Sequence, residues 1–414
     1  MNLHYSILKF YYLLKNGHKP TTYDLEKKIA IKKRQQLSNT RMIAVTGSAG
    51  KTTTCRFLSH ILSQDKNVFL SAFLNTSRHI PQRICSIEKD TEYAIFEISG
   101  HKPGAINDSC QYVLPDIGIV TTVATDHFSN FRSMDNVALE KINLVKNIKR
   151  DGLVFLNADD ENVIKMQYAA NATVVTFGQN PSADYIAKDI KTSSRGGIQF
   201  QCDYKNESAQ FFVNLTGVHF LTSVLAGIAC AHQLGLELLK ISEIAKSFSQ
   251  TLGRCSIHKN SNGPLFICDT EKSPYQTLPV ALNVLNIYND APRRTLVIGT
   301  ISDKGGTTRK RYDPVTNNKD IPIDRYIFFG KTASHARISE QQRSSGKFFY
   351  CNTIKEVKDL LSSTQINDEI IMLKGSTRSD KLERIAIDYN TKVTCWIDDC
   401  KIKNNCFSCS LLHK

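Results

Sequence analysis

The residues with the clearest chemical potential lie in one short run near the start of the chain. Residues 45–54 read Val-Thr-Gly-Ser-Ala-Gly-Lys-Thr-Thr-Thr and follow an apolar stretch. Glycines let the backbone wrap a phosphate group, helix N–H groups point at it, a lysine neutralises charge, and a hydroxyl can reach magnesium. The run predicts a phosphate loop, although Val45 replaces the first glycine of the eight-residue P-loop pattern. The predicted ATP-binding residues here are Thr46, Gly47, Ser48, Ala49, Gly50, Lys51, Thr52 and Thr53.

Apolar runs on both sides of this loop predict the elements that position it. Strands are predicted at 42–46, 93–98, 116–122, 153–157 and 173–177, with helices at 51–62 and 135–149. Strands that alternate with helices in this way are typical of a parallel α/β sheet. The pattern restarts after Gly253, with strands at 265–268, 295–299, 325–329 and 369–373 and helices at 277–288 and 354–362. We therefore predict a second α/β domain.

The boundaries that follow from this pattern divide the chain into four segments. They are a basic helical extension at 1–40, an ATP-binding domain at 41–252, a second α/β domain at 253–390 and a cysteine-rich tail at 391–414. Between residues 185 and 215, apolar residues alternate with polar ones, which predicts antiparallel strands. Helices are predicted at 219–234 and 241–250, and the polar segment 302–322 is predicted to be a long loop.

Further polar residues follow the predicted strands of the first domain at regular places. Glu97 ends one strand in the run Phe-Glu-Ile-Ser, and Asp126-His127-Phe128 comes shortly after the next. Lys141 lies 14 residues beyond His127, and residues 157–160 read Asn-Ala-Asp-Asp. Taken alone, a glutamate or histidine at such a place is more often structural than catalytic. The order and spacing of the whole series are more specific than any member.

This series resembles the Mur ligases, from residue 42 to about residue 385. The shortened phosphate loop T-G-x-x-G-K-[ST] is the form that this family uses. The E-x5-P-G-x-I spacing after Glu97 is most similar to the MurF type. The resemblance implies a P-loop-type parallel-sheet ATPase domain followed by a smaller Rossmann-like domain. It also implies magnesium ligands at Thr52, Glu97, His127 and Lys141, the last as a carbamate, and catalytic roles for Lys51, Glu97, His127, Lys141 and Arg254.

The second domain continues the resemblance. Leu-Gly-Arg at 252–254 matches the family's G-R, which implies that Arg254 contacts ATP phosphate. Asp269, in a D-x-x-K-x-P run, matches a residue that contacts ribose. Lys272 in that run, with Lys374 and Arg378 in the run Lys-Gly-Ser-Thr-Arg, is a candidate for binding the amino substrate. Ordinary structural roles at a helix N-terminus remain an alternative for Lys374 and Arg378.

Two departures from the family pattern bear on activity. Phe220 and Ser223 replace the asparagines of G-x-H-N-x-x-N, which help to hold nucleotide in relatives. Only 40 residues precede the predicted ATP-binding domain, whereas peptidoglycan ligases carry an N-terminal domain for the UDP-sugar. We therefore expect a different carboxylate substrate.

The expected function is an ATP-dependent ligase that joins a carboxylate to an amine through an acyl phosphate. Its partners would be ATP, magnesium, an unidentified carboxylate and an amino acid or dipeptide. One alternative is a catalytically weakened nucleotide-binding partner protein, and a second is a P-loop phosphotransferase acting on a small molecule. The series Glu97, His127, Lys141 and Arg254 argues against a simple kinase.

Four cysteines crowd the end of the chain, at Cys395, Cys400, Cys406 and Cys409. Four thiolates can close a tetrahedral zinc site, and C-x2-C is a usual half-site, whereas C-x4-C is looser. A candidate zinc site, a flexible tail with free thiols and a redox or intermolecular disulfide role are all open. The other eight cysteines lie mostly in apolar stretches and are expected to be reduced core thiols.

The overall charge constrains the remaining partner classes. The chain has 53 basic and 39 acidic residues, a formal net charge of +14. The sequence lacks the interleaving of basic and aromatic residues that is typical of a nucleic-acid-binding module, so no nucleic-acid partner is expected. No apolar run reaches the ~18 residues of a spanning helix, and no cleavage site follows the short apolar run at 7–14. A cytoplasmic protein is therefore expected.

Overall fold

A mostly parallel sheet carries the predicted phosphate loop at its centre. Its nine strands run in the order β2-β3-β1-β4-β5-β6-β7-β8-β9. They are β1 Arg41–Thr46, β2 Val68–Ser71, β3 Tyr93–Glu97, β4 Ile117–Val120, β5 Leu153–Asn157, β6 Thr173–Gly178, β7 Tyr185–Thr192, β8 Ile198–Tyr204 and β9 Glu207–Val213. The pairs from β2 through to β7 are parallel.

The order of these strands fixes where a ligand can bind. The chain leaves β1 toward β2 and β3 on one side and later returns to β4 on the other side. Loops that leave β1 and β4 therefore diverge, which opens a crevice at the carboxyl ends of the strands. The predicted phosphate loop follows β1 directly, so it lies at this crevice.

Helices cover the first sheet and bury its apolar faces. They are α1 Thr22–Gln35, α2 Lys51–Leu62, α3 Ile80–Cys85, α4 Ala105–Val113, α5 Phe128–Phe131, α6 Met134–Lys146, α7 Glu161–Ile164, α8 Leu221–Gln233 and α9 Leu238–Ala245. One core cluster unites Ala44 and Phe96 of the sheet with Ile106 of α4 and Leu144 of α6, all fully buried. Burying each such side chain contributes about 1.5–3 kcal/mol, so the helices that position the crevice are fixed by packing.

The second sheet has six strands in the order β10-β11-β15-β12-β13-β14. They are β10 Ser256–Lys259, β11 Leu265–Asp269, β12 Arg294–Ile298, β13 Arg325–Phe329, β14 Phe348–Cys351 and β15 Ile370–Lys374. β10 is antiparallel to β11, and the other neighbours are parallel. Its helices are α10 Leu278–Leu282, α11 Asp313–Thr316, α12 Gly330–Ala333, α13 Glu340–Ser344, α14 Ile354–Ser363 and α15 Glu383–Asp388.

The computed structural model describes residues 21–124, 128–194, 196–259, 263–302, 307–402 and 404–413. Its contacts divide the chain into two units. The first is Met1–Asp189, Gln201–Phe211 and Leu221–Ala245, and the second is Ile190–Phe200, Phe212–Phe220 and Lys246–Lys414. Each predicted segment is one continuous stretch of sequence, whereas each of these units combines three separate stretches. The predicted domain boundaries therefore stay a prediction. No helix in the described ranges is both long enough and apolar enough to cross a membrane.

The mixed α/β fold with parallel sheets is confirmed, and the differences from the predicted elements are local. The helix predicted at 277–288 is split into α10 and a 3-10 helix over Asn283–Tyr288. The helix predicted at 241–250 begins and ends earlier, as α9. The predicted loop at 302–322 contains a 3-10 helix at Thr308–Arg311 as well as α11.

Candidate active site

The phosphate loop between β1 and α2 depends on two glycines. Gly50 has φ +83°, a left-handed conformation that strains residues with side chains, and Gly47 has φ +151°. A Cβ on Gly47 would lie 1.9 Å from Thr121 Oγ1, and one on Gly50 would lie 2.6 Å from Ser223 Oγ. The loop is therefore packed directly against neighbouring chain segments, which explains the glycines that the sequence pattern contains.

The segment after β4 holds this loop in place. Ser48 N donates to Thr122 O at 2.8 Å, and Ala49 N donates to Thr122 Oγ1 at 3.0 Å. Thr121 Oγ1 in turn donates to Ala49 O at 2.6 Å. The Asn-Ala-Asp-Asp run has a positioning role here, because Asn157 Nδ2 donates to Thr121 O at 2.9 Å. The two sides of the crevice are thus joined by hydrogen bonds.

The remaining residues predicted to bind ATP occupy the end of β1 and the first turn of α2. Thr46 is buried, and its hydroxyl donates to Ile98 O at 3.0 Å, so its side chain supports the strand end. Lys51 Nζ donates to Gly47 O at 2.6 Å, across the mouth of its own loop. Thr52 and Thr53 are partly exposed in the first helical turn, where N–H groups lack intrahelical acceptors and bind anions.

Glu97 lies beside this turn, as predicted from its place at the end of β3. Its side chain is almost fully buried, with the residue 3% exposed. Thr52 Oγ1 donates to Glu97 Oε2 at 2.8 Å. Asn75 Nδ2 donates to Oε1 at 2.6 Å, and Phe73 N donates to Oε2 at 3.1 Å. The carboxylate is therefore oriented by three donors and points toward the phosphate loop.

Two of these donors were missed by the sequence analysis. Phe73 has φ +69°, which is uncommon for a bulky side chain, and Leu74 N donates to Ala72 O at 2.9 Å. This γ-type turn is strained, and such strain concentrates at functional sites. Asn75 follows β2, a four-residue strand that was not predicted, so no strand end marked it as a candidate.

Lys141 is on α6, and the residue is 1% exposed. Its neighbour Glu140 accepts hydrogen bonds from Gly104 N and Ile106 N, both at 2.7 Å, which attaches α6 to the start of α4. A lysine buried to this extent is uncommon in folded proteins. His127, the other predicted magnesium ligand of this region, lies outside the described residues.

The oxygen donors at the phosphate loop fit the magnesium ion that the family uses. Magnesium prefers hard oxygen ligands, usually one or two carboxylates with phosphate oxygens and water. The buried Glu97 carboxylate and the Thr52 hydroxyl already lie next to each other at the start of α2. These two residues would hold the ion.

In the second unit, Asp269 and Lys374 end two adjacent strands and form a buried ion pair. Lys374 Nζ lies 2.8 Å from Asp269 Oδ2 and donates to Lys272 O at 3.0 Å. The Lys374 side chain is 0% exposed. A lysine buried in this way orients Asp269, and the contact of Lys374 with the amino substrate stays a prediction. Lys272 and Arg378 are exposed near the same strand ends.

Arg254 and His219 belong to the same unit. Gly253 O, next to Arg254, accepts hydrogen bonds from Thr270 N and Glu271 N at 3.0 and 3.1 Å, which joins the Arg254 segment to the end of β11. Arg254 itself is partly exposed. Burial lowers the pKa of His219 to about 4, while nearby Asp269 raises this pKa and Lys374 lowers it by smaller amounts. His219 is therefore neutral near pH 7.

The two departures from the family pattern have structural roles. Ser223 Oγ donates to Gly50 O at 3.2 Å, so this serine contacts the backbone of the phosphate loop. Phe220 is buried, with its ring 4.1 Å from the His219 ring.

We expect Lys374→Met to destabilise the second unit by about 3–5 kcal/mol, because the buried Asp269 carboxylate would lose its cation. Urea titration of the full chain, monitored with a probe in the second unit, measures the change in the free energy of unfolding. Asp269→Asn combined with Lys374→Met removes both charges and should recover most of the loss. A surface ion pair contributes at most about 1 kcal/mol to stability. A loss of stability below about 1 kcal/mol in the single variant would therefore contradict a buried ion pair.

A zinc site at the tail cysteines is one of three open alternatives, and the structure gives it no support. Across the described ranges, no three histidine, cysteine or acidic side chains lie close enough together to hold one metal ion. The expectation of zinc is therefore not supported. The tail is also folded, since Cys406 is buried and its N–H donates to Glu383 Oε1 at 3.0 Å.

Known proteins similar to this chain agree with this arrangement. Residues 45–231 match the family described as the Mur ligase middle domain. The UDP-N-acetylmuramoyl-tripeptide–D-alanyl-D-alanine ligase of Rickettsia prowazekii is 26% identical over 380 residues, which is 89% of this chain and 82% of that protein. The ligase of the same name from Bacillus subtilis is 26% identical, over 84% of this chain and 76% of that protein.

Solved structures show the same fold. MurF from Acinetobacter baumannii superposes with a TM-score of 0.79 at 23% identity, covering 90% of this chain and 81% of that chain. MurF from Thermotoga maritima, solved in complex with ADP, has a TM-score of 0.77 at 18% identity, covering 91% and 87%. The sequence match spans the phosphate loop, Glu97, Lys141 and the Asn-Ala-Asp-Asp run. Residues 45–231 therefore match the Mur ligase middle domain, and most of the chain is similar to ligases of the MurF type.

Proposed function

We propose that this protein joins a carboxylate to an amine at the expense of ATP, through an acyl phosphate. The observation that carries the proposal is the hydrogen bond between Thr52 and Glu97, 2.8 Å long, at the start of the phosphate-loop helix. A phosphate-loop hydroxyl and a buried carboxylate at one point can hold the magnesium ion of a nucleotide. A buried lysine on α6 supports the same assignment.

The first step transfers a phosphoryl group. A substrate carboxylate oxygen attacks the γ-phosphorus of ATP, the bond to the β-phosphate oxygen breaks, and ADP leaves. Lys51 and the first N–H groups of α2 stabilise the negative charge on the phosphates. Magnesium, when bound, neutralises charge on the phosphoryl oxygens. We also assign phosphate and ribose contacts to Arg254 and Asp269, on their match to the family pattern.

The second step forms the amide. The amine nitrogen attacks the acyl carbon, the bond from that carbon to the phosphate oxygen breaks, and inorganic phosphate leaves with the excess proton released to solvent or phosphate. A carboxylate at neutral pH does not react with amines, so phosphorylation supplies the leaving group. Because water would hydrolyse the acyl phosphate, the reacting groups must be shielded from water.

The names of the relatives suggest the first substrates to test. Those proteins are named for a UDP-N-acetylmuramoyl-tripeptide and D-alanyl-D-alanine. We propose that the carboxylate substrate is a peptide-like acid and that the amine substrate is a dipeptide or an amino acid. The exposed Lys272 and Arg378 at the strand ends are candidates to bind a carboxylate of the amine substrate. We further propose that the enzyme works in the cytoplasm, where ATP is available.

The alternative of a catalytically weakened partner is favoured by one observation, the replacement of two nucleotide-binding asparagines by Phe220 and Ser223. Ser223 packs on Gly50 O and Phe220 on His219, so both positions are filled by well-packed side chains. The second alternative, a P-loop phosphotransferase, gives no role to Arg254 and Asp269, which match the family pattern.

An assay of phosphate release tests the proposal against both alternatives. The protein is incubated with ATP, magnesium and pairs of acids and amines, starting with the muramoyl tripeptide and D-alanyl-D-alanine. We expect phosphate release that requires both substrates, with an adduct lighter by one water than their summed mass. Nucleotide binding by calorimetry without turnover on any pair would favour the weakened partner. Phosphorylation of one substrate without any amine dependence would favour the phosphotransferase.

A further inference from the structure

The second sheet gathers several loops at the carboxyl ends of its parallel strands. β11, β15, β12 and β13 are neighbours in this sheet, and each adjacent pair among them is parallel. In open parallel sheets, ligands bind outside the carboxyl ends of the strands. The two candidate cations for the amine substrate belong to this edge, since Lys272 follows β11 and Arg378 follows β15. The way in which these loops are held therefore bears on substrate binding.

Asp380 is a buried carboxylate between two of these loops, with the residue 5% exposed. Its Oδ2 accepts hydrogen bonds from Ser376 N at 2.7 Å and from Thr300 N at 2.9 Å. Its Oδ1 accepts the Thr300 hydroxyl at 2.7 Å. Burial raises the pKa of Asp380, while the hydrogen bonds from Ser376 and Thr300 lower it. One carboxylate thus joins the loop after β15 to the segment after β12.

Two glycines leave room for this carboxylate. Gly299 directly follows β12, and Gly375 directly follows β15. A Cβ on Gly299 would lie 2.6 Å from Asp380 Oδ2, and one on Gly375 would lie 2.7 Å from the same oxygen. Both distances are shorter than those that real Cβ atoms show. The two strand ends are therefore shaped around the Asp380 side chain, and its position is specified by the fold.

The hydrogen bonds of Asp380 continue toward the end of β13. Thr300 Oγ1, which donates to Asp380, lies 3.3 Å from Thr332 Oγ1 on α12. Tyr312 OH donates to Gly299 O at 2.9 Å and lies 3.2 Å from Thr332 Oγ1. Networks of hydrogen-bonded side chains rigidify the segments that they join. The ends of β15, β12 and β13 are therefore held together around Asp380.

The loop after β15 is fixed on both sides of Arg378. On one side, Thr377 Oγ1 donates to Thr270 O at 3.0 Å, which attaches this loop to the loop after β11 that carries Lys272. On the other side lies Asp380 with its hydrogen bonds to the segment after β12. Thr377 and Asp380 are buried, whereas Arg378 is exposed. Arg378 is therefore presented to solvent by a loop with two buried anchors.

We propose that Asp380 is a positioning residue for the amine substrate, because it holds the loop that presents Arg378 to a carboxylate of that substrate. The proposal rests on the proposed ligase function and deepens it by naming what fixes the amine site. A guanidinium binds a carboxylate through two parallel hydrogen bonds, a geometry that requires a fixed orientation. Asp380 itself acts through the loop and makes no contact with the substrate.

Steady-state kinetics of the full chain test this role, with the acid and amine that the phosphate-release assay identifies. We expect Asp380→Ala to raise the KM for the amine about 10–100-fold, the cost of a misplaced binding group, with unchanged KM values for ATP and the acid. Asp380→Asn should keep the amine KM within about threefold of wild type. Its amide oxygen can accept both N–H groups, and its amide nitrogen can donate to the Thr300 hydroxyl.

The matched control is Asp324→Ala. Asp324 Oδ2 also accepts a backbone N–H of the second sheet, from Arg294 at 2.8 Å, but it lies at the amino ends of β12 and β13. We expect this variant to keep the wild-type KM for the amine. If Asp380→Ala does not fold, Thr300→Val takes its place, since it removes only the hydroxyl bond and should raise the amine KM by a smaller factor.

Hydrogen–deuterium exchange tests the loop anchor without any substrate. The amides of Ser376 and Thr300 should exchange faster in Asp380→Ala than in the wild type, and Asp380→Asn should restore their protection. Unchanged exchange in Asp380→Ala would overturn the anchor, even if the wild type releases no phosphate with any pair, the result that would reject the ligase function. In an active enzyme, an unchanged amine KM in Asp380→Ala, or in Thr300→Val as its substitute, would overturn the positioning role. An Asp380→Asn enzyme as impaired as Asp380→Ala would also overturn it, in favour of direct contact with the substrate.

Discussion

Lys51→Ala is expected to reduce ATP-dependent ligation by at least about 10²–10³-fold, the cost of removing one group that stabilises charge in a transition state. Lys51 Nζ donates to Gly47 O at 2.6 Å and lies at the mouth of the phosphate loop. A nucleotide phosphate would replace that carbonyl as its partner. The side chain is partly exposed, so its truncation should leave the fold intact.

Phosphate release measures this effect, with ATP affinity from calorimetry as a second readout. Lys149→Ala is the matched control, because Lys149 is an exposed lysine of the same unit, remote in sequence from the phosphate loop. We expect the control to keep full activity. Ligation at the wild-type rate by Lys51→Ala would reject the assignment of residues 46–53 as the phosphate loop.

Lys141→Ala is expected to lower ligation by at least about 100-fold, as the loss of a residue that supports a catalytic metal does. An ammonium next to magnesium would be repelled, whereas a lysine that has reacted with carbon dioxide carries an anionic carbamate with two oxygens. The residue is 1% exposed on a helix that Glu140 fixes to α4.

Chemical rescue separates this role from a structural one. Acetate or formate should partly restore the ligation activity of Lys141→Ala by supplying the missing carboxylate oxygens. Lys141→Arg should stay inactive with or without these small carboxylates. Lys146→Ala, at an exposed position near the end of the same helix, should be fully active. An active Lys141→Ala enzyme, or a defect that no small carboxylate relieves while the fold is intact, would contradict the carbamate.

The sequence predicted the parallel sheets and the phosphate loop because both rest on local patterns. β1 and β5 are continuous apolar runs, and the glycines at 47 and 50 are required by contacts with Thr121 and Ser223. β2 was missed because it is short and only partly buried, with three of its four residues at intermediate exposure. Asn75 and Phe73 were missed with it, since their role depends on where that strand ends beside Glu97.

Tertiary contacts account for the other differences. The helix predicted at 277–288 follows an apolar periodicity, yet it changes to a 3-10 helix after Leu282. The motif around Lys374 is compatible with a substrate contact or with a structural role, and only the adjacent ends of β11 and β15 show its pairing with Asp269. Cysteine spacing leaves zinc, free thiols and a disulfide role open, and only the structure shows that the tail is folded with Cys406 buried.

The most direct test of the ligase assignment follows oxygen from the acid to the phosphate. The carboxylate of the acid that the phosphate-release assay identifies is labelled with oxygen-18, and the released phosphate is analysed by mass spectrometry. Formation of an acyl phosphate, followed by attack of the amine on its carbon, transfers a single labelled oxygen to phosphate. We predict inorganic phosphate with one oxygen-18 and ADP without label. Unlabelled phosphate accompanying the amide product would contradict the account.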